Sequence, residues 1–253
     1  MCIIVVKPKD EVLSRAYLEN MWHQNPHGAG FMYAEKGQVK IVKGLMTLKG
    51  FLNVFEGMQH NRKMVAHFRT KTHGRVSAKL THPFWIKNQE MGMVHNGVIP
   101  KYGILSNGEE SDTSLYAEAL SKRYPNPLES LTDPKEHAAI KAEIGWSKLV
   151  FMDGDGETLI INSNLGHWHN GCWFSNRDYL GGYNYGNYYG NYYGHTNSQS
   201  RFYEAEEANQ AIDNEAPSVS VNETEAQGKV DEEWARILAE YQAKYLADSK
   251  ELL

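Results

Sequence analysis

The sequence predicts an α+β domain of layered sheets over residues 1–179, followed by a disordered low-complexity tail and a C-terminal helix. Three observations carry this. Short apolar segments of strand length recur at 2–6, 29–35, 38–43, 63–69, 91–95, 148–153, 157–162 and 168–174. Helical patterns at 11–21, 47–59, 112–124 and 133–144 fall in blocks rather than after every strand, which disfavours a doubly wound parallel sheet. Near residue 180 the composition changes, and aliphatic residues almost vanish.

The elements follow in order. Ile3-Ile4-Val5-Val6 is a β-branched run suited to a buried strand. The strand through Val65 and Phe68 should end near Arg69. The helix at 112–124 starts after Ser111 and places Leu115, Ala119 and Leu120 on one face, with Tyr116 beside them. Asp153-Gly154-Asp155-Gly156 lies between two apolar runs and reads as a hairpin turn. A calcium loop would need later ligands that the sequence lacks. Trp168 to Phe174 reads as one strand carrying Cys172 as a small core residue. His167 and His169 would share one face of it, as surface histidines.

Beyond the domain, residues 180–228 hold a Tyr/Gly/Asn tract at 183–194 and then a polar, acidic stretch, a linker composition with little to bury. Residues 229–253 turn amphipathic, with Trp234, Ile237, Leu238, Tyr241 and Tyr245 at helical spacing. This helix either docks on a partner or folds back on its own domain. The charge divides at the same place: net +3 before residue 180 and −8 after it.

With 253 residues, 41% hydrophobic and 23% charged, the chain has the composition of a globular protein, and its net charge of −5 gives no footprint for nucleic acid. No apolar run reaches membrane-spanning length, and residues 3–6 are too short for a signal-peptide core, so a cytoplasmic location is expected. The two cysteines, Cys2 and Cys172, are not a disulfide framework. Cys2 is the more informative. Removal of Met1 would leave a thiol and a free α-amine on one residue, and an α-amine titrating at about 7.7–8.0 can accept the thiol proton.

Three stretches carry further chemistry. Arg69, at a strand end, offers a planar fork for a carboxylate or a surface salt bridge. Asn96-Gly97 is either a tight turn or a pair of N–H donors for an oxyanion. Asp112, at a helix start beside Ser111, either caps the helix or faces a substrate ammonium.

In order, these stretches resemble the class II glutamine amidotransferases, whose domain is an N-terminal-nucleophile hydrolase. The matching segments are Met1-Cys2, Asn25-Pro26-His27-Gly28-Ala29-Gly30-Phe31, His67-Phe68-Arg69-Thr70-Lys71-Thr72-His73-Gly74, His82-Pro83-Phe84, His95-Asn96-Gly97 and Ser111-Asp112-Thr113-Ser114. Trp173-Phe174-Ser175-Asn176 is similar to the Ser-Asn near the end of many such domains. His27 departs from an aspartate and Ser114 from a glutamate of the family pattern, which bears on the shape of the pocket.

The resemblance implies a four-layer αββα sandwich over residues 1–179. It implies Cys2 as nucleophile and Asn96 with Gly97 as the oxyanion hole. It assigns the substrate α-carboxylate to Arg69 with Thr72 and His73, and the α-ammonium to Asp112, with the Ala29-Gly30 turn helping to shape the pocket. No metal or organic cofactor is required. His67, His73 and His95 lack a compact ligand spacing. With no synthase domain after residue 180, the resemblance points to a stand-alone glutaminase that supplies ammonia to a separate acceptor enzyme. Two other readings stay open: an N-terminal-cysteine hydrolase of acyl or γ-glutamyl amides, and an inactive scaffold.

Overall fold

The computed structural model describes residues 2–106 and 108–181. The expected linker and terminal helix, from residue 182 onward, lie outside the described residues. Among the described residues no helix is long and apolar enough to cross a membrane.

Two antiparallel sheets are packed face to face. The first has six strands in the order β3 (Gln38–Leu45), β2 (Ala29–Glu35), β4 (Met64–Phe68), β1 (Ile3–Lys7), β10 (Cys172–Phe174) and β9 (His167–His169). The second has four, β5 (Phe84–Lys87), β6 (Met91–Asn96), β7 (Lys148–Asp153) and β8 (Thr158–Ile161). The period-2 alternation of a strand divides each apolar run between two cores. In β1, Ile4 and Val6 face the second sheet and meet Met32, Val65, Val94, Val150, Met152 and Trp173. Ile3 and Val5 face outward, toward α1 (Arg15–Gln24) and α2 (Leu48–Met58), in a core with Leu18, Met21, Phe51 and Phe55.

The outer face of the second sheet is covered by α4 (Asp112–Arg123) and α6 (Pro134–Ile144), which place Tyr116, Leu120, Ile140 and Ile144 on Met93, Leu149 and Phe151. The result is the four-layer αββα sandwich expected above.

Several local expectations shift. The first helix starts at Arg15 rather than 11, because the Ser14 hydroxyl accepts from Tyr17 N and makes Ser14 the cap. The expected strand 168–174 is a hairpin of β9 and β10: Asn170 (φ 43°) and Gly171 (φ 68°) turn between them. β5 is an additional strand; its four residues, with a register shift between Trp85 and Lys87, give no clean alternation in the sequence. Two short helices, α3 (Pro100–Leu105) and α5 (Pro127–Ser130), also add to the expected elements, each opening with proline in its first turn. Asp153 does close a hairpin, its Oδ1 accepting from Asp155 N and Glu157 N.

His167 and His169 are half-buried rather than surface residues. Their rings pack on Tyr17, Phe174 and Tyr179, and each Nε2 is paired with a tyrosine hydroxyl, Tyr179 at 3.1 Å and Tyr17 at 2.9 Å. Cys172 is buried in the outer core, where burial pushes its thiol up to about 12.

Candidate active site

Strand register builds the site. β1 is central in its sheet and pairs antiparallel with β4, with Ile3 opposite Phe68. The residue before Ile3 therefore meets the residue after Phe68, which brings Cys2 to Arg69 and Thr70. The Cys2 Sγ lies 3.3 Å from both the N–H and the carbonyl oxygen of Thr70. Burial raises the thiol pKa, while the Thr70 N–H and the Arg69 charge act to lower it.

A cleft of about 260 Å³, part of it open to solvent, is lined by Cys2, Arg69, Thr70, Thr72, His73, His82, His95, Gly97, Ser111, Asp112 and Thr113. Of the candidates from the sequence, Cys2, Arg69, Thr72, His73, Gly97 and Asp112 share this cleft.

Arg69 is 3% exposed. Two of its N–H groups hold the loop that follows, donating to Arg75 O (3.0 Å) and His73 O (3.1 Å). Burial lowers its pKa, and the Cys2 and Asp112 charges oppose that shift. Asp112 is equally buried, and the helix cap falls to its neighbour. Ser111 Oγ accepts from Ser114 N while Ser114 Oγ accepts from Ser111 N, a complete capping box. The serine at the departure from the family's glutamate thus fills the cap role. Asp112 Oδ2 instead accepts from Ile99 N at 2.9 Å, fixing the backbone just after Gly97.

Asn96 ends β6 and is 1% exposed. It does not itself line the cleft; its Nδ2 donates to Ser175 Oγ at 2.8 Å. The same oxygen accepts from Ile4 N at 2.8 Å, and Asn176 Nδ2 donates to the Cys2 carbonyl at 2.9 Å. Ser175 and Asn176 therefore tie the thiol-bearing end of β1 to the Asn96-Gly97 turn across the two sheets. Gly97 has φ +143°, and a Cβ there would stand 2.1 Å from Ser147 Oγ, so only glycine fits.

Gly30 lies in β2 and does not line the cleft. It allows close packing: a Cβ there would approach the His82 carbonyl oxygen to 2.2 Å. The turn before it supports the site from outside. His27 N donates to Arg69 O, Arg69 N to Gly28 O, and His27 Nδ1 accepts from Lys71 N. Asn25 Oδ1 accepts from the Thr70 hydroxyl at 2.7 Å.

Residues that sequence reasoning did not assign to the site are Thr70, His82, Ser111, Thr113, Ser175 and Asn176. All six sit inside the quoted motifs, which was the available signal; their roles depend on contacts between distant segments. His67, His82 and His95 are all buried, and burial is the main cause of their lowered pKa values, to about 3 for His67 and about 4 for His95. These imidazoles are neutral near pH 7.

No family model matches the chain. In sequence it is similar to glutamine–fructose-6-phosphate aminotransferase (isomerizing) of Aquifex aeolicus, 26% identical over 121 residues, covering 44% of this chain and 20% of that protein. The protein of the same name from Fusobacterium nucleatum is 26% identical over 125 residues, covering 45% and 20%. The chain spans about a fifth of the length of these curated relatives. Among solved structures, glutamine phosphoribosylpyrophosphate amidotransferase from B. subtilis superposes with a TM-score of 0.44 at 13% identity, covering 69% of this chain and 41% of that one. The αββα layering, the ordered motifs that converge on one cleft and the sequence relatives support a domain similar to the class II, N-terminal-nucleophile glutamine amidotransferases.

Proposed function

We propose that this chain hydrolyses the side-chain amide of glutamine to glutamate and ammonia through a thioester on Cys2. The observation that carries the reading is that a thiol, a buried guanidinium and a buried carboxylate line one small cleft, although Arg69 and Asp112 lie far from Cys2 in sequence. Opposite charges suit the α-carboxylate and α-ammonium of one amino acid, and holding both ends fixes its side-chain amide over the thiol. Glutamine stands in the names of both sequence relatives, which agrees with this substrate.

In the proposed reaction Met1 has been removed. The Cys2 α-amine takes the thiol proton, and the sulfur attacks the amide carbon. The resulting oxyanion is held by the Gly97 N–H and by the Asn96 amide, of which one N–H is anchored on Ser175. The C–N bond breaks as the α-ammonium returns a proton to the leaving nitrogen. Water then cleaves the thioester and releases glutamate. The ammonia passes to an acceptor, which we propose is a separate enzyme.

The test has two parts. The intact mass should show loss of Met1, and a glutamine-analogue electrophile should label Cys2 alone. Cys2→Ala should abolish glutamate release without changing the unfolding transition. Release of glutamate by protein that retains Met1 would sink the amine-assisted mechanism, and acyl-amide cleavage without glutamine cleavage would sink the substrate.

A further inference from the structure

Asp178 opens a single 3-10 turn, Asp178–Leu180, at the end of the described region. Tyr179 and Leu180 are buried in the outer core beside α1, and Asn20 Nδ2 donates to the Tyr179 carbonyl at 2.9 Å. That packing holds Asp178 between two side-chain amides. Asn25 Nδ2 donates to Asp178 Oδ2 at 3.0 Å, and Asp178 N donates to Asn176 Oδ1 at 3.0 Å.

Both amides are oriented by these contacts. The Asp178 N–H can only donate, so the Asn176 oxygen faces it and the Asn176 NH2 faces the other way, donating to the Cys2 carbonyl at 2.9 Å. The Asn25 NH2 faces two groups that only accept, the Met21 carbonyl at 3.1 Å and the Asp178 carboxylate. Asn25 Oδ1 is therefore the end that meets the Thr70 hydroxyl, at 2.7 Å. An amide oxygen cannot donate, so the hydroxyl proton points to it, although the Gln24 carbonyl lies 3.3 Å from the same hydroxyl. Held by its side chain, Thr70 presents its backbone N–H to Cys2 Sγ at 3.3 Å.

The contacts close a ring, from the Cys2 carbonyl through Asn176, Asp178, Asn25 and Thr70 back to the Cys2 sulfur. Asn25 is fully buried, so an acceptor lost at its NH2 leaves a donor without water. A carboxylate at one end of such a chain polarises the amide and strengthens the bond its oxygen accepts. An N–H on the sulfur in turn favours the thiolate, against the effect of burial. Asp178 itself does not line the cleft.

We propose that Asp178 is a positioning residue for Cys2: it orients two amides that between them fix the carbonyl and the thiol of the proposed nucleophile. The proposal rests on the reading that Cys2 attacks glutamine, but its first test does not need turnover. Full-length parent, Asp178→Ala and Asp178→Asn proteins would be alkylated with iodoacetamide from about pH 6 to about pH 10, a range that brackets an ordinary thiol. Adducts on Cys2 would be followed by peptide mass, which separates them from the buried Cys172.

Asp178→Ala removes the acceptor from Asn25 and keeps the backbone N–H. The Asn25 amide is then free to turn, the Thr70 N–H leaves the sulfur, and the alkylation midpoint should move to higher pH. In glutaminase assays kcat should fall about tenfold, the effect of one lost buried hydrogen bond, with KM unchanged because Arg69 N and O stay bonded to Gly28 and His27. Asp178→Asn keeps an acceptor for Asn25 and should hold the parent midpoint. A midpoint unmoved in Asp178→Ala overturns the proposal, even where urea unfolding shows lost stability. So does an Asp178→Asn midpoint displaced as far as that of Asp178→Ala. Should Asp178→Ala not fold, Asn25→Asp decides: it sets a carboxylate against Asp178, and adding Asp178→Asn again faces a donor with an acceptor. The double variant should bring the midpoint back toward the parent's, and a midpoint left where Asn25→Asp puts it overturns the proposal. Absence of glutamate release by the unmodified protein would count against the parent reading alone.

Discussion

Ser175→Ala probes the joint between the strand that carries the proposed nucleophile and the Asn96-Gly97 turn. The Ser175 hydroxyl accepts 2.8 Å bonds from Ile4 N and Asn96 Nδ2, and the residue is 1% exposed. Alanine deletes one oxygen and leaves two buried donors unpaired. The space freed is about one atom, too little for a water to replace the hydroxyl. Each unpaired buried donor costs about 1–3 kcal/mol, so the expected loss is about 2–6 kcal/mol, a large part of the roughly 5–15 kcal/mol of a typical domain. Urea unfolding should show the midpoint falling with an unchanged slope, because the surface exposed on unfolding is the same. Glutaminase assays should show kcat falling at least about tenfold with KM little changed, since Arg69 and Asp112, the proposed substrate anchors, are untouched. A stability loss under about 0.5 kcal/mol with unaltered kcat would refute the assignment of Ser175 as the joint.

Acid should destabilise the domain early. His67, His82 and His95 are held neutral in the fold, below the ordinary 6.5, so the unfolded chain binds more protons as pH falls through that value. Their contribution is fully present above pH 6.5 and is lost toward the native values of about 3 and 4. The slope is about 1.4 kcal/mol per ring per pH unit, and urea midpoints between pH 7 and 5 would measure it; a flat profile there contradicts neutral burial. Gly97→Ala should cost about 2–6 kcal/mol, from a left-handed backbone and a Cβ 2.1 Å from Ser147 Oγ. Arg69→Lys cannot keep both the Arg75 and His73 carbonyls and a carboxylate fork; KM for glutamine should rise about 10- to 100-fold, more than kcat falls.

Much of this architecture was legible because its signals are local. The β-branched run at 3–6 specifies a strand buried on both faces, and its alternation separates Ile4 and Val6 from Ile3 and Val5 before any partner is known. Ser111 marks the start of α4, and Asp153-Gly154 marks a hairpin. The departures are also local: β5 is too short and irregular for periodicity, and the Asn170-Gly171 turn divides a stretch whose flanking aromatic residues read as one strand.

Residue order alone supplies the chemical inventory of the site: one thiol at residue 2, one arginine at a strand end, an Asn-Gly pair and an aspartate at a helix start. It did not determine what each group touches. Only antiparallel register brings Arg69 and Thr70 to Cys2. Only the stacking of the two sheets lets one Ser175 oxygen bind both Ile4 and Asn96. The ambiguity at Ser111-Asp112 was resolved the same way, with Ser111 capping the helix and Asp112 free to hold Ile99 N at the cleft. The reason is physical. Propensity and capping act over a few residues, whereas hydrogen-bond partners and the desolvation that keeps three imidazoles neutral arise only when segments tens of residues apart are packed together.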